Sequence, residues 1–522
     1  MSGHVFVVGA DLTRLSCDDV LVPTDRSLRV TRSWVSLLPP DAVTGADDGG
    51  AVVQVDWSGA DRVVAVPGAG ERQAWLVDTL DDAGRGLPWL LAGAREALAA
   101  VARREVPRPA HGRARRLVGL PALGTGWGGA AGERGALLQQ LLPVLREAAD
   151  EHGYDVALVL RRPSDLAAAQ RVRRADGGGW ELPDELCRVA GQLGERARRG
   201  QLAVFLGAGV SAAAGLPTWE QLLDELAGRA GLDDGLRAGL SQLPPQDAAA
   251  LLARELGRDE LGAYVHQRFG PGPYSLAHAM IAGLPVREYV TTNYDPLVEL
   301  AAEDVGRRLE VLPFDEATPG SAWLLKLHGD AARPGSIVLT REEYLRGDSR
   351  SALAGVLQSL LFTRHVLFVG TSMLDDDLIR IAHQVRTALD GTMAGDHRHA
   401  GTVLALREDP VRARLWERDV ATVAMAPADA SAAEAARRLE VLLDLLGCLS
   451  SRPAGYLLDP AYRGLLDEEE TVLSAALSRV AEEIDVGSGQ SWAGQEVQEL
   501  LARLGYEDPG RFPAGQVGNG RP

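Results

Sequence analysis

The sequence predicts an α/β protein built on doubly wound parallel sheets, with a helical segment at its C-terminus. Short apolar runs of strand length alternate with helical patterns at the spacing of parallel βαβ crossovers, in two separate stretches. A glycine-rich turn also joins one such strand directly to a helix. The 522 residues are 46% hydrophobic and 24% charged, which is typical of globular proteins and excludes a wholly disordered chain.

Residues 1–170 form the first predicted α/β domain. A long helical pattern lies between its last two apolar runs, and strand, helix and strand in this order favour a parallel crossover. A linker with a connecting helix follows at 171–199, and its glycine-rich start, 174–180, is the clearest flexible junction. The predicted strands are 5–8, 19–22, 52–55, 117–123 and 156–160, and the predicted helices are 88–103, 133–152 and 184–199.

Residues 200–450 form the second predicted α/β domain, and residues 451–522 form the helical C-terminal segment. The segment ends in a glycine- and proline-rich tail that we expect to be disordered. Its apolar faces are expected to bury against the second domain or another subunit. In the second domain the predicted strands are 203–206, 289–292, 323–327, 365–369 and 402–406, and the helices include 219–230, 245–256 and 433–446. In the C-terminal segment, one apolar helix face is formed by Leu473, Leu477, Val480 and Ile484, and the other by Val497, Leu500, Leu501 and Leu504.

Charge and composition exclude several classes of protein. The 54 basic against 72 acidic residues give a net charge of −18, which argues against binding nucleic acid over the whole surface, and we expect no sequence-specific nucleic-acid binding. No apolar stretch approaches eighteen residues and the start lacks a basic flank, so we expect a cytoplasmic protein without membrane contact. Cys17, Cys187 and Cys448 are too few and too scattered for a four-cysteine zinc site.

A glycine-rich turn after the strand at 203–206 is the strongest chemical signal. Glycines at a strand-to-helix turn let the backbone approach a diphosphate, although an ordinary tight turn gives the same pattern. This turn is not GxGxxG and no Walker lysine follows it, which argues against an ordinary dehydrogenase or P-loop ATPase. The turn and its continuation contain Gly207, Ala208, Gly209, Ser211, Pro217 and Trp219.

Polar residues follow three further predicted strands. The carboxyl ends of parallel strands meet at one edge of a sheet, so these residues are expected to converge there. Taken singly, each has a structural explanation, since Asn and Asp cap helices and a lone His is usually a satisfied structural residue. They are Asn293 and Asp295 in Thr-Thr-Asn-Tyr-Asp, His328 in Leu-His-Gly-Asp, and Gly370, Thr371 and Ser372.

Together these motifs resemble the sirtuin family over residues 200–410. The glycine turn, the Asn-x-Asp pair, the His-Gly pair and Gly-Thr-Ser each match a motif of that NAD-consuming, Rossmann-type fold. The resemblance implies that Asn293 orients the ribose and a water, and that His328 accepts a proton. It also implies that Asp295 bonds the nicotinamide carboxamide and that the remaining motif residues bind NAD: the backbone amides of Gly207, Ala208 and Gly209, with Ser211, Pro217, Trp219, Gly370, Thr371 and Ser372.

Two details resemble the bacterial sirtuin-like branch of antiphage defence, which is associated with NAD hydrolysis. One is Thr-Thr-Asn-Tyr-Asp, and the other is Val-Leu-Thr-Arg-Glu-Glu-Tyr at 338–344, within sixteen residues of His328. The four-cysteine zinc module of deacylases is missing between Cys187 and Cys448. The family's Asp-Phe-Arg is replaced by Thr218, Trp219 and Glu220, so Trp219 either covers the nicotinamide or is a core aromatic.

The N-terminal domain is similar to macrodomains, which bind ADP-ribose. The similarity rests on residues 7–13 and 19–22 and on the glycine-rich loop at 120–129. Glycines there let backbone amides wrap a diphosphate. The macrodomain Asn-Ala-Ala-Asn segment is Pro23-Thr24-Asp25-Arg26 in this chain, so the domain is either a ligand sensor or a scaffold that kept only the shape.

The expected function is therefore NAD+ glycohydrolysis to nicotinamide and ADP-ribose, as an NAD-depleting effector of antiphage defence. NAD is the substrate, and no zinc is expected. Because an unregulated NADase would kill its host, we expect an inactive resting state. The apolar C-terminal faces lead us to expect a homo-oligomer that controls access to the site, and an ATPase or another defence protein is the expected partner. The alternatives are a non-catalytic NAD or ADP-ribose sensor and, with less support, a protein deacylase.

Overall fold

The computed structural model describes residues 2–47, 49–57, 61–68, 72–106, 108–126, 129–177, 179–345, 347–373, 376–390, 399–451, 454–487 and 491–506. The chain divides into two compact units. The first contains Met1–Ala110, Arg115–Glu181 and Ser451–Pro522, and the second contains His111–Ala114 and Leu182–Ser450. The predicted disordered end lies at 507–522, outside the described residues.

A six-stranded sheet forms the centre of the first unit. Its order is β1-β9-β8-β2-β7-β6, and all its neighbours are parallel except the β6–β7 pair. The apolar faces of α1 and α2 cover it. The strands are β1 Val5–Gly9, β2 Asp19–Thr24, β3 Arg29–Val30, β4 Val43–Asp47, β5 Gly50–Val53, β6 Val63–Ala65, β7 Gln73–Asp78, β8 Leu117–Pro121 and β9 Asp155–Leu160. The helices are α1 Leu87–Ala102, α2 Arg134–His152 and α3 Pro163–Ala175.

Two differences from the sequence prediction concern this sheet. The strand predicted at 52–55 is β5, which belongs to a separate three-stranded antiparallel sheet of order β3-β5-β4. The sequence analysis did not assign β7, although its residues Ala74–Asp78 are buried beside β2.

A seven-stranded, all-parallel sheet forms the second unit. Its order is β12-β13-β11-β10-β14-β15-β16, so the first strand, β10, has later strands on both sides. In doubly wound sheets, the crevice at the carboxyl ends of such a switch point is where ligands bind. The strands are β10 Leu202–Leu206, β11 Glu288–Thr291, β12 Leu309–Leu312, β13 Ala322–Lys326, β14 His365–Val369, β15 Gly401–Arg407 and β16 Val420–Ala426.

Helices pack on both sides of this sheet, as the predicted doubly wound class requires. They are α4 Asp184–Arg198, α5 Ala208–Ala212, α6 Trp219–Arg229, α7 Asp234–Leu240, α8 Pro245–Leu256, α9 Arg258–Arg268, α10 Leu276–Ala282, α11 Leu297–Asp304, α12 Arg341–Leu345, α13 Gly347–Thr363, α14 Asp376–Asp390, α15 Pro410–Trp416 and α16 Ala432–Ser450. Short 3-10 turns lie at Arg32–Leu37, Pro40–Ala42, Ala110–Gly112, Ala131–Glu133, Pro334–Ser336 and Pro460–Leu465. The predicted α/β class is confirmed.

The C-terminal segment supplies two helices to the first unit, α17 Glu468–Gly487 and α18 Trp492–Arg503. Among the described residues, apolar side chains of this segment pack on one another and on the turn at Leu457 and Leu458. Two of the four residues predicted to form the buried face of α17, Leu477 and Ile484, pack in this cluster. The other two, Leu473 and Val480, are 50% and 40% exposed. Burial of the segment's apolar faces against the second domain or another subunit stays a prediction.

In the described part of the chain, no helix combines the length and the apolar character that crossing a membrane requires.

Candidate functional site

Two glycine loops meet at the switch point of the second sheet. Gly207 follows β10 and donates its amide hydrogen to Val369 O at 2.9 Å, and Gly209 donates to Gly370 O at 2.8 Å. Gly370 has φ +69°, and a Cβ there would lie 2.6 Å from the backbone nitrogen of Val210. The glycines therefore permit a close approach of two backbones.

The contact between the two glycine loops changes one expectation from the sequence. Of the three amides assigned to the diphosphate, those of Gly207 and Gly209 already donate to the β14 end. The close packing against Gly370 fixes this arrangement, since a Cβ on Gly207 would lie 2.5 Å from Gly370 O. Gly207 and Gly209 shape the loop, and Ala208 is the remaining amide of the three.

The side-chain amide of Asn293 is oriented by two acceptors. Its Nδ2 donates to Gly207 O at 3.1 Å and to Ser211 Oγ at 2.9 Å. A backbone carbonyl can only accept, so the amino group must face Gly207. The Oδ1 atom then faces away from these two partners, as an acceptor for a hydroxyl group or a water.

Ser211 connects Asn293 to two further buried groups. Its hydroxyl donates to Asp295 Oδ2 at 2.8 Å and lies 3.5 Å from His278 Nε2. The other His278 nitrogen, Nδ1, accepts from the Ser275 backbone N–H at 3.3 Å, so the hydrogen of the neutral ring is on Nε2. Burial lowers the pKa of His278 to about 4. His278 is thus a neutral donor toward Ser211.

His278 was not predicted from the sequence as a site residue. The sequence signal for it was Ser275, which caps α10 three residues earlier and bonds the same histidine. A cap predicts the start of a helix but does not show what the helix faces, so the contact with Ser211 became visible only in the fold.

Asp295 is buried and uses both carboxylate oxygens. Oδ2 accepts from Ser211, and Oδ1 accepts from the Leu297 backbone N–H at 3.1 Å, at the start of α11. Each carboxylate oxygen can accept two hydrogen bonds, so Asp295 retains capacity for a ligand amide.

His328 lies at the neighbouring strand end. Thr291 of β11 pairs with Lys326 of β13, and Asn293 and His328 each lie two residues beyond these paired positions. The predicted convergence of the two strand ends is therefore observed in the backbone. Gly329 follows with φ +90°, where a Cβ would lie 2.2 Å from Ser336 O.

Tyr344 contacts His328 and was not singled out from the sequence. Its hydroxyl lies 3.4 Å from His328 Nδ1, and the two rings meet edge to face with centroids 5.2 Å apart. This contact explains the end of the motif at 338–344. Glu343 accepts from the backbone N–H groups of Leu339 and Thr340 at 2.7 and 2.9 Å, which shapes the turn before Tyr344.

A cavity of about 680 Å³ opens beside the glycine loops. Gly370, Thr371 and Ser372 line it together with Gly209, and residues of β15 and α15 form its other wall. Thr371 Oγ1 accepts from the Met373 backbone N–H at 3.2 Å, and Ser372 O accepts from Arg412 at 3.0 Å. The predicted Gly-Thr-Ser motif thus borders a space of ligand size.

Pro217 and Trp219 lie at the start of α6. Pro217 is buried, and Thr218 and Gln221 form a reciprocal capping box. Trp219 is half-buried and packs against the apolar cluster that contains Leu222. These contacts favour the core-aromatic interpretation of Trp219.

Among the described residues, no group of three or more His, Cys, Asp or Glu side chains is arranged to hold a metal ion. The absence of zinc remains a prediction.

Comparisons with known proteins identify this unit. A family model described as "SIR2-like domain" matches residues 287–423. That range begins after the glycine turn at Gly207 and includes Asn293, His328 and Gly370. The second unit contains a sirtuin-like domain.

Curated relatives match a little over a third of the chain. "NAD(+) hydrolase ThsA" of Cytobacillus dafuensis is 33% identical over 194 residues, covering 36% of this chain and 38% of that protein. "NAD(+) hydrolase ThsA" of Enterococcus faecium is 31% identical over 208 residues, covering 38% and 42%. "Defense-associated sirtuin 2" of Bacillus subtilis is 26% identical over 212 residues, covering 37% and 20%. The chain therefore spans about two fifths of the length of the first two relatives.

Proposed function

We propose that the sirtuin-like unit hydrolyses NAD+ to nicotinamide and ADP-ribose. The observation that carries this proposal is the fixed Asn293 amide, held by Gly207 and Ser211, at the strand end next to that of His328. The names of the two ThsA relatives support the same activity.

The reaction breaks the bond between the ribose anomeric carbon and the nicotinamide nitrogen. The bonding electron pair leaves with nicotinamide, which becomes neutral, and the ribose passes through an oxocarbenium-like transition state. The oxygen of a water then bonds the anomeric carbon, and one proton is released. The products are nicotinamide, ADP-ribose and that proton.

In this proposal, Asn293 and His328 have complementary roles. Asn293 Oδ1 accepts from the attacking water or from a ribose hydroxyl, since Nδ2 is held by Gly207 and Ser211. His328 accepts the proton that the water or a ribose hydroxyl loses, because a nitrogen of a neutral imidazole can accept a proton. Asp295 holds the nicotinamide carboxamide with its remaining acceptor capacity.

The remaining motif residues bind the rest of NAD+. We assign the adenosine half to the cavity that Gly370, Thr371 and Ser372 border, because its volume of about 680 Å³ is ample for a nucleoside. Ala208 and Ser211 lie on the glycine turn, whose Gly209 lines this cavity and whose Ser211 contacts Asn293. Pro217 and Trp219 shape the nearby start of α6.

We further propose that the protein depletes NAD+ as an effector of bacterial antiphage defence. The names "NAD(+) hydrolase ThsA" and "Defense-associated sirtuin 2" support this role. It requires a resting state that spares the host, and we keep a homo-oligomer, a partner such as an ATPase and a cytoplasmic location as parts of the proposal.

For the first unit we propose a macrodomain-like fold. The glycine-rich loop after β8 supports it, since Gly124 has φ +86° and the loop follows the carboxyl end of a parallel strand. Calorimetric titration with ADP-ribose separates the sensor from the scaffold: a sensor binds it, and a scaffold gives no heat of binding.

A single assay tests the activity against its alternatives. Purified protein is incubated with NAD+, with and without an acetylated peptide, and nicotinamide, ADP-ribose and deacetylated peptide are measured. We expect nicotinamide and ADP-ribose in equal amounts without the peptide. Binding of NAD+ without products would favour the sensor, and nicotinamide release only with the peptide would favour a deacylase.

A further inference from the structure

Lys326 is unusual in both sequence and structure. It is the single lysine of the chain, and all other basic residues among the 54 are arginine. It is the last residue of β13, two positions before His328, and it is 1% exposed. A charged side chain at such a site costs free energy unless it is paired and hydrogen-bonded.

The ammonium group of Lys326 joins two loops. Its Nζ lies 2.7 Å from Glu299 Oε1 and 3.2 Å from Asp330 Oδ2. It also donates to the backbone oxygens of Asp295, at 2.9 Å, and Tyr294, at 3.4 Å. One atom therefore contacts the loop that carries Asn293 and, through Asp330, the loop that carries His328.

The charges around Lys326 keep it protonated. Burial alone would lower its pKa, but the carboxylates of Glu299 and Asp330 raise it above the ordinary value. Burial raises the pKa of Glu299 to about 7. Asp330 and the two backbone oxygens therefore remain partners of the ammonium when Glu299 is protonated.

Arginine does not offer the same geometry. The lysine ammonium is a compact charge whose three hydrogens point in three directions, whereas guanidinium is a planar fork. The Lys326 partners lie on separate segments, at Glu299 in α11, at Asp295 before it, and at Asp330 after β13. The guanidinium group of an arginine at position 326 is planar and larger than the ammonium group, so it would push these segments apart.

We propose that Lys326 is a positioning residue, which clamps the Asn293 loop against the His328 loop and so sets the relative placement of these two side chains. This inference rests on the proposed function. Displacement of reacting groups by about 1 Å from a distant substitution can lower the rate by about a hundredfold.

Two variants test the clamp in the full chain. Lys326→Arg keeps the charge and changes its shape. The double variant Lys326→Met, Glu299→Met replaces the buried pair by apolar side chains, a change that folded proteins often tolerate. Arg229→Met is the matched control, because it removes a cation from the exposed ion pair of Arg229 with Glu260.

We measure kcat and KM for NAD+, together with hydrogen–deuterium exchange of peptides that cover 291–297, and circular dichroism reports folding. Both variants should lower kcat by about ten- to a hundredfold with KM changed less than about threefold. Both should also speed exchange at 291–297, which is remote in sequence from Lys326. The control should match the wild type.

Wild-type kcat, or wild-type exchange at 291–297, in either folded variant would overturn the clamp. Loss of the fold in both variants also counts against it, because Lys326 would then serve stability alone. If the wild-type protein does not cleave NAD+, the proposed function fails, and exchange at 291–297 still decides whether Lys326 holds the two loops together.

Discussion

The two units share an architecture but differ in what their strand ends do. Each has a parallel sheet with glycine-rich turns at the carboxyl ends of its strands. In the first unit, the hydrogen bonds of two such side chains are local: Asp25 Oδ1 accepts from the backbone of Ser27 and Arg29 at 2.8 and 3.0 Å, and Asp11 Oδ1 accepts from Thr13 at 2.9 Å. Neighbouring strand ends are joined there by ion pairs with exposed arginines, Arg161 with Asp11 and Arg26 with Asp78.

In the sirtuin-like unit, the corresponding side chains bond one another across the fold. Ser211 contacts Asn293 and Asp295, more than eighty residues further along the chain. The comparison teaches that polar residues after a strand do not by themselves indicate a site. Local bonds indicate a turn, whereas bonds that converge from several strand ends indicate a place where a ligand can be held.

Removal of the proposed proton acceptor should have the largest effect. His328→Ala is expected to lower NAD+ cleavage by at least about a hundredfold, because positioned proton transfer contributes about 10² to 10⁴ in rate. Nicotinamide release is measured, with circular dichroism as the folding control. Wild-type turnover in the folded variant would move the chemistry away from this strand end.

The buried His278 should make stability depend on pH. Its folded pKa is about 4, below the ordinary 6.5 of the unfolded chain, so between these values the unfolded chain binds the extra proton. The stability that neutral His278 contributes is therefore present above pH 6.5 and is lost as pH falls toward 4. From pH 7 to pH 5, we expect a loss of about 2 kcal/mol.

Urea unfolding at pH 7 and pH 5 measures this loss. His278→Gln should show a smaller decrease between the two pH values than the wild type, whatever its stability at pH 7. His383→Gln, at an exposed position, is the matched control and should keep the wild-type decrease. Equal decreases in all three proteins would contradict the assignment of a buried, neutral His278.

The hydroxyl of Tyr344 should have the smallest effect. Tyr344→Phe keeps the ring packed against His328 and removes only the 3.4 Å contact with Nδ1. We expect kcat to fall by roughly threefold to tenfold, because a net hydrogen bond is worth about 0.5–1.5 kcal/mol. Tyr344→Ala, which also removes the ring, is measured for comparison. If Tyr344→Phe keeps the wild-type kcat, the hydroxyl is not needed and Tyr344 acts only by packing against His328.

The sequence predicted the strands that are buried on both faces. β10 and β14 read as continuous apolar runs, because helices cover both sides of the sheet. The edge strands β12 and β16 were missed, since β12 is interrupted by the charged Glu310 and β16 mixes alanine with valine, threonine and methionine instead of forming such a run.

The sequence also predicted the part of the site that follows recognisable strands. Asn293 and His328 follow recognisable strands, so the rule that strand ends converge places them together. His278 and Tyr344 lie on helices, and their contacts depend on how α10 and α12 pack against the sheet. The partners of Lys326 lie at 294–299 and at Asp330, and no pattern in the sequence connects the stretch 294–299 to Lys326 before the chain folds.

The central claim is that the chemistry belongs to the converging strand ends of the sirtuin-like unit. The most direct measurement compares nicotinamide release from NAD+ by Asn293→Ala and Asp25→Ala, which remove polar side chains that follow the carboxyl ends of β11 and β2. We expect Asn293→Ala to lose at least about a hundredfold in turnover and Asp25→Ala to keep the wild-type value, with both proteins folded by circular dichroism. Wild-type turnover by folded Asn293→Ala would contradict the claim.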